Sequence, residues 1–161
     1  MRSIWLLLTV LMLPAHAQQA EPIRIAVAGP MSGQFEALGL QMRLGGETAV
    51  ADLNAAGGVL GRTVILDIAD DVCDRQRADA VANRLVGRGV VFVAGHLCSQ
   101  PSIEAARVYA GNDIVQISPA ATHPDFTDLD IGPGVFRLAE RDDMQGQVLG
   151  RMLAKIGRAH V

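Results

Sequence analysis

The stretch Val90–Ser102, VVFVAGHLCSQPS, decides the fold. Val90 to Ala94 is an unbroken apolar run with β-branched residues, the pattern of a strand covered on both faces. Gly95 lets the backbone turn tightly at its end. Ser99 then stands where the N-cap of a helix over Ser99–Ala110 is expected, and Pro101 suits the first turn of that helix. A strand that runs through a glycine into a helix is the first half of a parallel crossover unit.

The same unit recurs on both sides of this stretch. Ile23–Ala28, IRIAVA, predicts a strand, followed by the turn-rich loop Gly29-Pro30-Met31-Ser32-Gly33. Leu44, Ala49, Val50 and Leu53 recur at helical spacing within a predicted helix Leu40–Leu53, and Asn54–Gly58, NAAGG, ends it. Thr63–Ala69, TVILDIA, predicts a second strand and Gln76–Val86 a second helix, on which Ala80, Val81, Asn83, Arg84 and Leu85 fall on alternating faces. Ile114–Ile117, IVQI, predicts a fourth strand after the third helix. Alternating strands and helices with near-continuous apolar strands predict an α/β fold with a doubly wound parallel sheet. Ligands of such sheets bind beyond the carboxyl ends of the strands.

Composition narrows the class. The 161 residues are 50% hydrophobic but only 4% aromatic, so the core is expected to be aliphatic. The net charge of -3 offers no basic patch for a phosphate backbone, which argues against nucleic acid as a partner. Near the start, Arg2 precedes the apolar run Ile4–Leu13, and Pro14 and Ala15-His16-Ala17 follow it. The run is shorter than the roughly 20 residues a membrane-spanning helix needs, so residues 1–17 read as a cleaved secretory signal. Export places Cys73 and Cys98, the two cysteines, in an oxidising compartment.

Two strand ends carry polar chemistry. At the first, free N–H groups at the start of the Ser99 helix, with the Ser99 hydroxyl beside them, suit a small anion. No phosphate-type glycine motif is present, so a carboxylate is the natural guest; the alternative is a serine that caps its own helix. At the second, Ser118-Pro119-Ala120-Ala121-Thr122 leaves the fourth strand, and Pro119 interrupts the ladder. A carbonyl and a hydroxyl there can accept from an ammonium; the alternative is an ordinary Ser-Pro turn. A donor corner beside an acceptor corner fits a zwitterion. Cys73 and Cys98 fall at the ends of the second and third strands, where a disulfide would contribute about 3 kcal/mol. The rival is a metal site of Cys73, Cys98, His96 and His123, which lacks paired ligand spacing. His96 reads as a structural hydrogen-bonding residue. No serine–histidine–acid set falls at plausible positions, so no enzyme activity is expected.

These residues carry a family resemblance. The segments IRIAVAGPMSGQFEALG (Ile23–Gly39), ADLNAAGGVLGRTVIL (Ala51–Leu66), DDVCDRQRADAVANRLV (Asp70–Val86), VVFVAGHLCSQPS (Val90–Ser102) and ISPAATHPDFT (Ile117–Thr127) make the chain similar to the first lobe of a periplasmic branched-chain amino-acid-binding protein, a type I solute-binding protein of an ABC importer. The resemblance covers the chain from the end of the leader to about Gly150. It implies that Leu97, Cys98 and Ser99 hold a ligand carboxylate through the serine hydroxyl and backbone N–H groups. It also implies that the Ala120 carbonyl and the Thr122 hydroxyl receive the ligand ammonium, and that Cys73 and Cys98 form a disulfide. Leu38 stands before Gly39 where leucine-type binders carry an aromatic residue that helps enclose the ligand side chain, which leaves the bound amino acid open.

The resemblance further implies a domain order: signal peptide 1–17, first lobe 18–138, and hinge with the start of a second lobe over 139–161. Val135–Glu140 resembles the first hinge crossing, and Asp142 or Asp143 would cap a helix over Met144–Lys155. The chain is expected to be an N-terminal fragment. Residues 156–161 fit the family poorly, and one back-translation of them reads as a sequencing adaptor, so they are expected to be foreign to the natural reading frame. The implied partners are a small-molecule amino acid and a membrane permease, with a monomeric protein, no cofactor and a periplasmic location. The alternative of the same fold is an amide- or urea-binding protein or sensor.

Overall fold

A computed structural model of the protein describes residues 21–158. The expected leader at residues 1–17 and the final residues 159–161 lie outside the described residues. Ten elements alternate along the chain: β1 (Ile23–Gly29), α1 (Glu36–Ala55), β2 (Val64–Asp70), α2 (Arg75–Gly87), β3 (Phe92–Gly95), α3 (Ser99–Ala110), β4 (Val115–Ser118), α4 (Asp125–Asp128), β5 (Val135–Arg137) and α5 (Asp142–Arg158). The five strands form one sheet in the order β2-β1-β3-β4-β5. Every pairing is parallel. The parallel α/β fold expected from the sequence is the observed one.

Register places helices on both faces. An added Cβ on Gly46 of α1 would lie 2.5 Å from Val27 and 3.5 Å from Leu66. Only glycine lets this helix approach β1 and β2 so closely. The opposite face carries Ala26, Ala28, Ala69 and Val93, which pack against Ala78, Val81, Ala82 and Leu85 of α2 and Ala105 and Tyr109 of α3. Ala78, Val81, Ala82 and Leu85 follow the spacing of one helical face. Ala80, by contrast, is exposed. Asp74 caps α2 by accepting the Arg77 N–H at 2.8 Å. Asn54 joins the end of α1 to β2, donating to the Val64 carbonyl and accepting the Val64 N–H.

The order reverses at the centre, because the chain steps from β1 outward to β2 and then returns past β1 to β3. Crevices for ligands form at such switch points, beyond the carboxyl ends of the strands. Here that end holds Gly29, Gly95 and Ser118.

Several boundaries differ from the sequence reading. α1 begins at Glu36 rather than Leu40. β3 begins at Phe92, because the Val90 N–H closes the end of α2 on the Leu85 carbonyl. The segment read as a hinge crossing begins as a fifth strand: the Gln116 N–H reaches the Gly134 carbonyl, and the Leu138 N–H reaches the Ser118 carbonyl. α5 leaves the sheet with Met144, Val148, Leu149, Met152, Leu153 and Ile156 exposed. Among the described residues no helix is long and apolar enough to cross a membrane.

Candidate functional site

The candidate site is built from the loops that leave β1, β2, β3 and β4. Its floor is a buried polar network. Asp71, His96 and Tyr109 are each 0% exposed. The His96 Nδ1 lies 2.5 Å from Asp71 Oδ2, and its Nε2 lies 3.1 Å from the Tyr109 hydroxyl. With Asp71 as a carboxylate, Nδ1–H donates to it and the Tyr109 O–H donates to Nε2. Burial, and then the Asp71 charge, push the Tyr109 phenol above its ordinary pKa, so it keeps its proton. The other Asp71 oxygen accepts the Cys73 N–H, and the Asp71 N–H donates to the Gly29 carbonyl. The His96 carbonyl accepts from the Ser102 and Ser118 hydroxyls. One histidine and one aspartate thus tie together the ends of β1, β2, β3 and β4. The structural role read for His96 is confirmed, but its partners Asp71 and Tyr109 were not identified from the sequence.

Cys73 and Cys98 are bonded, with Cα atoms 5.5 Å apart. This closes the choice left open by the sequence. Among the described residues no group of His, Cys, Asp and Glu could hold a metal ion. The disulfide joins the β2 and β3 loops at the edge of the network.

The first corner differs in one detail from the sequence reading. Cys98, not Ser99, is the N-cap residue of α3, with extended backbone and no side-chain cap bond. Its carbonyl opens the helix by accepting the Ser102 N–H. Ser99 is therefore the first helical residue, and its hydroxyl is released from capping. That oxygen accepts the N–H of Thr122 at 3.2 Å and of His123 at 3.3 Å. A hydroxyl has two acceptor positions and one proton; both acceptor positions are used, and the proton remains for a ligand. The N–H groups of Ser99 and Gln100 open the helix beside it, where the helix dipole favours negative charge. Leu97 lies against the end of β1, its Cβ 3.8 Å from the position a Cβ on Gly29 would take.

The second corner follows β4. The Ala121 N–H donates to the Ser118 hydroxyl. The Thr122 carbonyl accepts the Asp142 N–H, and the Ala121 and His123 carbonyls accept from Arg137. Among the described residues the Ala120 carbonyl and the Thr122 hydroxyl bond to nothing. These are the two acceptors assigned to an ammonium by resemblance. Ser99, Ala120 and Thr122 are therefore brought together, through the bonds the Ser99 hydroxyl takes from the second loop. Leu38 sits at the rim in the first turn of α1, 44% exposed.

Asp70 anchors the remaining loop. Its carboxylate accepts the N–H groups of Met31 and Val72 and the Ser32 hydroxyl. Burial opposes its charge, but these hydrogen bonds outweigh burial and hold its pKa below the ordinary value of 3.8. A lowered folded-state pKa stabilises the fold above that value, and the contribution is lost as pH falls through the folded-state value. Urea unfolding of the wild type and Asp70→Asn is expected to show a stability gap at pH 6 that narrows at pH 3. A gap of constant size would remove Asp70 from the acid response.

Comparison with known proteins identifies the family. The family model described as periplasmic binding protein matches residues 22–160. The Leu/Ile/Val-binding protein homolog 2 of Brucella abortus is 41% identical over 132 residues, which is 82% of this chain and 35% of that protein. The leucine-, isoleucine-, valine-, threonine- and alanine-binding protein of Pseudomonas aeruginosa is 38% identical over 141 residues, covering 88% of this chain and 38% of that protein. Among solved structures, an ABC transporter substrate-binding protein of Desulfitobacterium hafniense in complex with Leu is 36% identical with a TM-score of 0.70, over 86% of this chain and 40% of that one. The chain spans less than half the length of these relatives. The match across nearly every described residue, on a parallel sheet of the same kind, places it in one family: the chain belongs to the type I periplasmic binding proteins.

Proposed function

We propose that the chain is the first ligand-binding lobe of an extracytoplasmic solute-binding protein that captures an aliphatic amino acid for an ABC importer. The observation that carries this reading is the pairing of the two corners. Ser99 offers a hydroxyl proton and helix N–H groups to a carboxylate, and Ala120 and Thr122 offer two acceptors to an ammonium. The hydrogen bonds from Thr122 and His123 to the Ser99 hydroxyl fix their spacing. An α-amino acid carries those two groups on one carbon. The names of the Brucella and Pseudomonas relatives and the leucine complex of the Desulfitobacterium protein support the same ligand class.

The division into a leader at 1–17, a first lobe at 18–138 and a hinge with the start of a second lobe at 139–161 belongs to this proposal. The apolar row on α5 supports it, since Met144, Val148 and Met152 recur at helical spacing on an exposed face. A second lobe closing over the first would complete the pocket, enclose the ligand side chain near Leu38 and exclude water. The closed form is then the species a membrane permease recognises, and the protein works in the periplasm as a monomer, without cofactor or catalytic step.

Calorimetry on the complete protein, expressed from the intact gene, tests this reading with leucine, isoleucine, valine, urea and acetamide. Tight binding of an aliphatic amino acid is expected. Heat from urea or acetamide with none from the amino acids would contradict it and assign the corners to an amide.

A further inference from the structure

Arg137 closes β5 directly behind the second corner. Its Nη1 donates to the Ala121 carbonyl at 2.9 Å and the His123 carbonyl at 3.0 Å. Its Nη2 donates to the Pro124 carbonyl at 3.2 Å and the Thr127 hydroxyl at 2.8 Å. The guanidinium lies 5.4 Å from the ring centre of Phe126, which is 0% exposed, so its plane is fixed from a second side. Its Nε is buried without a hydrogen-bond partner. A buried donor left unpaired costs free energy, so the side chain is held here by what its other nitrogens do.

Those nitrogens sort the carbonyls of one short segment. Ala121 and His123 point theirs at Arg137, and the intervening Thr122 carbonyl turns to the Asp142 N–H. The Ala120 carbonyl and Thr122 hydroxyl are the acceptors this sorting leaves over. We infer that Arg137 is the positioning residue of the ammonium corner: by fixing the Ala121 and His123 carbonyls behind the loop, it holds the Ala120 carbonyl and the Thr122 hydroxyl toward the ligand. The inference rests on the amino-acid reading. The role is geometric, because a positive charge behind the loop opposes an ammonium by Coulomb's law. Only the planar fork of arginine spans these four acceptors; lysine keeps the charge but concentrates its donors on one nitrogen.

The test compares leucine with 4-methylvalerate, which is leucine without its amino group, titrated into the complete protein as wild type, Arg137→Lys and Arg137→Met. Leucine affinity is expected to fall about tenfold or more in both variants, the scale of a lost hydrogen bond to a charged group. The affinity for 4-methylvalerate, which uses the carboxylate corner, is expected to fall by less than that for leucine, because the Ala121–Thr122 peptide that Arg137 holds also carries an N–H to the Ser99 hydroxyl. A merely structural role would weaken both ligands equally, and that result would overturn the inference. Tighter leucine binding by Arg137→Met would overturn it as well, since charge rather than geometry would then dominate. A crystal structure of Arg137→Lys gives an independent readout: rotated Ala121 and His123 carbonyls support the inference, and an unchanged 120–123 backbone overturns it. A wild type that does not prefer leucine over 4-methylvalerate would instead overturn the amino-acid reading itself, a failure distinct from the others.

Discussion

Replacing His96 by leucine is expected to destabilise the protein by about 3–5 kcal/mol, the usual loss when one partner of a fully buried pair is removed. Leucine has nearly the right volume, so the loss does not come from a cavity. It comes from Asp71, which is 0% exposed and whose carboxylate would keep only the backbone N–H of Cys73 as a donor. Tyr109 would lose the partner of its buried hydroxyl at the same time. Asp71→Asn is the milder change, about 1–2 kcal/mol, because an amide can still meet Cys73 and His96 by hydrogen bonds of ordinary strength. Denaturant unfolding of both variants against the wild type measures the difference. Equal stability of His96→Leu and the wild type would remove the pair from the account of the fold.

Gly95→Ala is expected to cost on the order of 3 kcal/mol or more, because it combines a strained backbone with a clash. Gly95 has φ +146°, and a Cβ there would strike the Ala28 backbone. The partner atom is a carbonyl in the centre of the sheet, where Ala28 pairs with Gly95, so no flexible side chain can give way. Relief requires β1 and β3 to separate at the mouth of the crevice. The effect therefore reaches ligand binding too, since His96, Leu97 and Ser99 follow directly. Thermal unfolding and ligand titration of the same variant check both consequences. An alanine variant that melts with the wild type would show that the strands have room the structure denies them.

The sequence was most legible where one residue type served one purpose. The run ending at Gly95 gave the central strand, and α3 spans the residues read for it, Ser99–Ala110. Apolar runs separated by helical spacing were enough for the parallel sheet. The fifth strand was missed because Val135–Arg137 is three residues long and half exposed, so its identity comes from pairing with β4 rather than from its own pattern. Ser99 was placed one position early because serine favours the N-cap, whereas here Cys98 occupies it and the serine hydroxyl is not used for capping. Asp71 was hidden by its neighbour: Asp70-Asp71 reads as a charged turn, and only the fold separates a half-buried anchor for the first loop from a fully buried partner for His96. Arg137 was invisible for a related reason, since its acceptors are backbone carbonyls that leave no trace in composition or spacing.

The central claim is that the two corners hold the two charged ends of one amino acid. Thr122→Val tests it with the least disturbance to the fold, because the Thr122 hydroxyl bonds to nothing among the described residues and valine matches threonine in shape. The measurement is leucine titration of the complete protein as wild type and Thr122→Val, with melting temperatures recorded alongside. The account predicts an affinity loss of about tenfold at an unchanged melting temperature, the scale of one hydrogen bond to a charged group. Leucine binding equal to that of the wild type would contradict it.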